Sequence, residues 1–219
     1  MTCARWMTLP VLALALALPV AAQEPATEAK AAPKPAAKPV AKPVAKPAAP
    51  NQEEKMKAWT AYMTPGEPHA RFAKLAGSWT TKTKSWMDPA QPPEETTGSC
   101  DFKVVLGGRF LEQRFEGSMM GQPFSGIGFT GYDNLKKKYE SYWIDSAGTG
   151  MMILTGTPDK SGKKTVYTGS MLDPTNGKKV ALRSVDTEVD ADNLLFEMWM
   201  SGPDGKMMKS LEMVYTRKK

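Results

Sequence analysis

The sequence predicts an all-β fold, an antiparallel up-and-down barrel of about ten strands preceded by one or two short N-terminal helices. Three observations carry that expectation. Short runs of alternating polar and apolar residues fill the chain beyond Gly77. Turn signals such as Gly107-Gly108, Asp159-Lys160-Ser161-Gly162 and Pro203-Asp204-Gly205 separate those runs at hairpin-like intervals. No long helical periodicity interrupts them. Many strands joined by short connections close on themselves, since closure removes bare edges. A two-sheet sandwich is the alternative.

Residues 1–22 read as a signal peptide. Arg5 supplies the positive start, an apolar run extends from Trp6 to about Leu18, and Val20-Ala21-Ala22 offers a cleavage site before Gln23. The apolar run is too short to span a bilayer, so an exported, periplasmic or secreted product is expected. Cleavage would leave Cys100 as the lone cysteine, which rules out an internal disulfide. Residues 23–50 are rich in Lys, Pro and Ala, with Lys-Pro recurring at 34/35, 38/39, 42/43 and 46/47. Each proline favours extended backbone in itself and its predecessor, so a polyproline-like tether is expected. Its lysines are suited to weak contact with anionic membrane or cell-wall surfaces.

The chain carries 29 Lys and Arg against 23 Asp and Glu, a formal net charge of +6. Setting aside the six basic and two acidic residues of the first fifty leaves 23 against 21. A nearly neutral domain with interspersed charges argues against nucleic-acid binding.

From Asn51 the chain reads as one domain. Asn51 and Glu54 have capping-box spacing, and Met56, Trp59 and Met63 follow at helical intervals. Thr64-Pro65-Gly66 ends that helix. Pro68 suits the first turn of a second one, which carries Phe72 and Leu75.

Strands are expected near 77–87, 95–106, 109–118, 123–132, 138–146, 149–157, 164–173, 178–189, 194–201 and 206–217. Charged residues set which face looks outward. Lys82 and Lys84 outward turn Trp79, Thr81, Thr83 and Ser85 inward. Asp101 and Lys103 outward turn Cys100, Phe102, Val104 and Leu106 inward. The same argument puts Tyr139, Ser141, Trp143 and Asp145 inside, then Phe196, Met198 and Met200, then Leu211, Met213, Tyr215 and Arg217. In the third strand Leu111, Gln113 and Phe115 compete with Phe110, Glu112, Arg114 and Glu116; the more apolar set is favoured inward.

Several stretches together resemble a known group. Leu75-Ala76-Gly77-Ser78-Trp79 is similar to the Gly-x-Trp signature that opens the first strand of calycins, the superfamily of lipocalins and fatty-acid-binding proteins. Gly107-Gly108-Arg109-Phe110-Leu111, Gly131-Tyr132-Asp133, Lys138-Tyr139, Trp143-Ile144-Asp145 and Val214-Tyr215-Thr216-Arg217-Lys218 are similar to a bacterial calycin-like domain family of unknown function. The resemblance covers about residues 53–219. It implies a barrel and no established activity. It also implies a structural closure in which Arg217 of the last strand packs on Trp79 of the first.

An interior rich in aromatic and methionine side chains suits a small hydrophobic or amphipathic ligand. Phe115, Trp143, Met198, Met200, Met213 and Tyr215 would line the site, with Gln113 and Asp145 orienting the ligand. The same side chains could instead fill the barrel as a core. That would make the domain an envelope interaction or structural module. A carboxylate-dependent enzyme using Asp145 is a third reading. No cofactor or metal is expected, because His69 is the single histidine and precedes the barrel. A solvated place in the short helix is expected for it. Cys100, facing inward, is expected to be inert. The Met119-Met120, Met151-Met152 and Met207-Met208 pairs would split between opposite strand faces, which disfavours copper capture. Gly126-x-Gly128 and Gly107-Gly108 lack a following helix, so they are expected to permit bending or turns rather than to hold phosphate.

Overall fold

Asn51 opens the described chain's first helix. Its Oδ1 accepts the Glu54 N–H at 3.0 Å, and the Glu54 carboxylate accepts the Asn51 N–H at 2.8 Å. The computed structural model describes residues 49–219, Pro89 excepted; the signal-peptide and tether expectations lie outside the described residues. Helix α1 (Gln52–Met63) has no buried residue and is held mainly by its C-terminal end. There the Asn134 side-chain amide donates to the carbonyls of Ala61, Tyr62 and Thr64, and Arg109 donates to that of Met63. Helix α2 (Glu67–Leu75) follows with Pro68 in its first turn.

Ten strands then run in sequence: β1 Gly77–Ser85, β2 Glu94–Val105, β3 Phe110–Met119, β4 Gln122–Asp133, β5 Lys138–Asp145, β6 Met152–Pro158, β7 Lys164–Leu172, β8 Lys179–Glu188, β9 Asn193–Ser201 and β10 Met207–Arg217. Each pairs antiparallel with its neighbours, and β1 pairs with β10 from Trp79↔Arg217 to Ser85↔Leu211, closing the barrel. One bulge breaks the β9–β10 ladder between Lys209 and Leu211. Among the described residues no helix is long and apolar enough to cross a membrane.

Alternation governs the wall as the charges require. Trp79, Thr81 and Thr83 are buried while Lys82 and Lys84 are exposed. In β3 the apolar set faces in, with Leu111 and Phe115 buried and Phe110 39 % exposed on the outside. The methionine pairs split, Met151 lying 59 % exposed while Met152 packs on the core.

Two expectations need correcting. Leu106 does not face inward: β2 ends at Val105, and Leu106 enters the turn at φ 49°, 71 % exposed. The Gly107-Gly108 turn takes it out of the strand's alternation. His69 is buried rather than solvated, at 6 % exposure. Its Nδ1 accepts the Gly66 N–H at 3.0 Å, and its ring meets Tyr132 edge-on. Burial pulls its pKa below the ordinary histidine range, which favours the neutral ring that this acceptor role requires.

Helix α2 stops one end of the barrel. Phe72 inserts at 2 % exposure into a cluster with Leu111, Tyr139, Leu154, Tyr167 and Leu182. The Tyr139 hydroxyl donates to the Pro68 carbonyl, and Arg71 is ion-paired with Glu188 of β8. A second cluster, Trp79, Cys100, Phe115, Met213 and Tyr215, continues the interior on the β1–β3 and β10 side.

Candidate functional site

The barrel lining is assembled from strands that meet only through the ladders. Phe115, Met213 and Tyr215 share one cluster, against which Trp143 and Phe196 pack from β5 and β9. Met200 packs instead against the cluster under α2. Met198 stands opposite Ser184 on one side and Leu211 on the other. Six of the eight candidate ligand contacts (all but Met198 and Met200) lie on β3, β5 and β10, and Met198 stands in register with Leu211 of β10.

The polar candidates are engaged within the wall. Gln113 Nε2 donates to the Tyr215 hydroxyl at 3.3 Å. Asp145 accepts the Trp143 indole N–H at 2.8 Å through one oxygen and the Ala147 N–H at 2.9 Å through the other. Asp145 therefore orients Trp143 and the turn after β5. Trp143 lies over inward-facing Gly126 and Gly128, where a Cβ on Gly126 would come within 2.1 Å of its ring. These glycines make room for an indole, a role that bending alone does not capture.

Trp79 is fully buried, and the Arg217 guanidinium lies 4.1 Å from its ring centroid. Arg217 also donates to the carbonyls of Lys74, Ala76 and Ala191, while the Trp79 indole donates to that of Leu75. The pair joins the seam of the barrel to the end of α2. Cys100 is buried beside them, and burial pushes its thiol up to about 12. A thiol so protonated is a poor nucleophile.

Packing inside is uneven. Trp79, Thr81 and Thr83 of β1 are buried, yet Leu194, Phe196, Met198 and Met200 along β9 and Trp143 on β5 are only half-buried. The Thr81 and Thr83 hydroxyls of β1, in register with Tyr215 and Met213 of β10, are buried with no hydrogen-bond partner among the described residues. Outside the α2 end, an open pocket of about 480 Å³ is lined by Leu75, Trp79, Glu188, Leu194 and Arg217 together with exposed residues of the β8–β9 turn.

Two features escaped the sequence reading. Asp186 of β8 stands between Thr165 of β7 and Phe196 of β9, on the inward face with Ser184. Burial raises its pKa to about 7, partly offset by the charge of Arg71. The second feature is a cleft of about 790 Å³ on the outside of the wall, between the end of α1 and β3–β5. Tyr62, Met63, Phe110, Phe129, Tyr142 and Met151 line it. Neither is visible in strand alternation, which ranks residues by polarity and does not measure shape.

None of the curated proteins matches the chain. Among solved structures, Rv2717c from M. tuberculosis is 21 % identical, with a TM-score of 0.54 over 71 % of this chain and 100 % of that one. The S-type phycobiliprotein lyase CPES from Guillardia theta is 13 % identical, with a TM-score of 0.51 over 74 % of this chain and 97 % of that one. At these identities the likeness is one of fold. Residues 64–217, from the end of α1 to the last residue of β10, match the model of a protein family of unknown function, DUF1579, and the chain belongs to that family.

Proposed function

We propose that this is an exported binding protein whose barrel holds a small hydrophobic or amphipathic molecule. Gln113, Phe115, Trp143, Asp145, Met198, Met200, Met213 and Tyr215 form the proposed contacts. The observation that carries the reading is the uneven interior: apolar residues that face inward along β9 stay half-buried, and two buried hydroxyls on β1 lack partners. A filled core buries such side chains and pairs such hydroxyls. The methionines adapt to a ligand of irregular shape. Export rests on the residues before Gln23, and a mature chain beginning there in the periplasmic or secreted fraction is its expected mark.

Uptake of the neutral dye phenylnaphthylamine, with its fluorescence enhanced and Trp143 quenched, is expected of the mature protein. Protein purified from its own host is expected to show extra mass in native mass spectrometry. A bare polypeptide mass together with no dye uptake would overturn the binding reading.

The outer cleft favours a second reading. Its aromatic lining, continued by Ile144 at 44 % and Ile153 at 51 % exposure, is more apolar than a barrel's solvated face requires. That surface suits an interaction module in the cell envelope. Tyr142→Glu is expected to abolish such an association and to leave dye uptake intact.

A further inference from the structure

Asp186 is an unpaired carboxyl in the barrel. It faces inward in register with Thr165 and Phe196, and no hydrogen bond or ion pair reaches it among the described residues. The neighbouring cation, Arg71, is committed elsewhere, to the Glu188 carboxylate and, at 3.0 Å, to the Thr165 hydroxyl. Two carboxyls therefore share one guanidinium at this end of the interior. Asp186 is half-buried, and a partly desolvated carboxylate without a partner is favoured by an opposite charge brought in with a ligand.

The surroundings match a small cation with an apolar tail. The Tyr167 and Tyr215 phenols lie close enough to feel the Asp186 charge. Arg71, Tyr139, Cys100 and Glu188 are the further titratable groups on this part of the wall, and Lys74, Lys163, Asp190, Asp192 and Arg217 rim the pocket at the α2 end. The 480 Å³ pocket outside the α2 end is lined by Glu188 and Leu194, and Asp186 and Phe196 are the next inward residues on the same two strands. Beyond them on β9 lie Met198 and Met200, and Met213 of β10 stands beside Phe196.

We infer that the molecule held in the barrel carries a protonated amine, received by Asp186 between Tyr167 and Tyr215 while its apolar part lies along β9. This rests on the binding reading above and names the ligand's chemical class. Burial of Asp186 raises its pKa to about 7, so the carboxyl sheds its proton as a cation arrives. Burial also holds the Tyr167, Tyr215 and Cys100 protons in place well above neutrality.

Displacement of phenylnaphthylamine from the mature protein by dodecylamine, dodecanol and dodecanoate tests the inference. Dodecylamine is expected to bind about tenfold more tightly than dodecanol, and dodecanoate more weakly than both. In Asp186→Asn the ratio of amine to alcohol affinity is expected to fall toward one. Should that variant not fold, the wild type decides. An alkylammonium stays charged across this range, so lowering the pH from about 8 to about 5.5 is expected to erode the amine's advantage as Asp186 takes up a proton. Entry of dodecanol with no preference for the amine, or a preference that persists in Asp186→Asn, overturns this inference and leaves the binding reading standing. Displacement by none of the three removes both.

Discussion

Trp143 lies flat on two glycines, and that contact shows how a single atom sets the lining. Gly126 pairs with Asp145 and Gly128 with Trp143 across the β4–β5 ladder. A Cβ on Gly126 would approach the indole Cζ2 to 2.1 Å and Cη2 to 2.6 Å, while one on Gly128 would meet Cε3 at 3.0 Å. Gly126→Ala is therefore expected to displace the ring, weaken its bond to Asp145 and cost about 1–3 kcal/mol of stability. A lowered urea midpoint with altered tryptophan fluorescence checks this. Gly128→Ala is expected to cost less, because its Cβ would touch the ring edge at a distance that a small shift relieves.

At the scale of elements, α2 and the β1–β10 seam act as one unit. Arg217 stacks on Trp79 and gives hydrogen bonds to carbonyls of α2's last turn, of the β1 approach and of the β8–β9 turn. Arg217→Ala is expected to destabilise the fold by about 2–4 kcal/mol, combining a lost cation–π contact with unsatisfied carbonyls. Faster hydrogen exchange in α2 than in β4–β7 is the accompanying sign. Both helices, all ten strands and most of the inward set were legible, because Lys82, Lys84, Lys103 and Glu140 leave alternation only one sensible phase. Leu106 misled because Val104-Val105-Leu106 is one apolar run, and only the positive φ at its end removes the third residue from the strand. His69 misled because polarity says outward, while its partners Gly66 and Tyr132 come from a turn and a distant strand. Asp186 was illegible for a related reason. Asp186 itself and the apolar Val185 would invite the opposite phase, whereas β8 turns inward the face that carries Leu182, Ser184 and Asp186. The outer cleft depends on which exposed side chains of β3, β4 and β5 stand side by side, a matter of register that composition does not encode.

For the whole molecule, a carboxyl in the interior ties stability to acidity. The folded-state pKa of Asp186 is raised to about 7, above the ordinary value an unfolded chain would show. Its protonated form thus favours folding fully below the unfolded value, and that contribution is lost as pH rises through the folded one. Wild type is expected to melt lower at about pH 8 than at about pH 5 by several degrees, other groups aside. Asp186→Asn is expected to remain more stable than wild type at the higher pH, with the gap closing at the lower. Thermal melts of both proteins at the two pH values check the sign. The closed wall has one more consequence. Its seam joins the first strand to the last, the pairing of highest contact order in the domain. Such long-range pairing is slow, and until it forms β1 and β9 or β10 offer raw edges to other chains. Nascent or truncated forms lacking Met207–Arg217 would therefore expose a template for aggregation, so solubility of this domain depends on the arrival of its final eleven-residue strand.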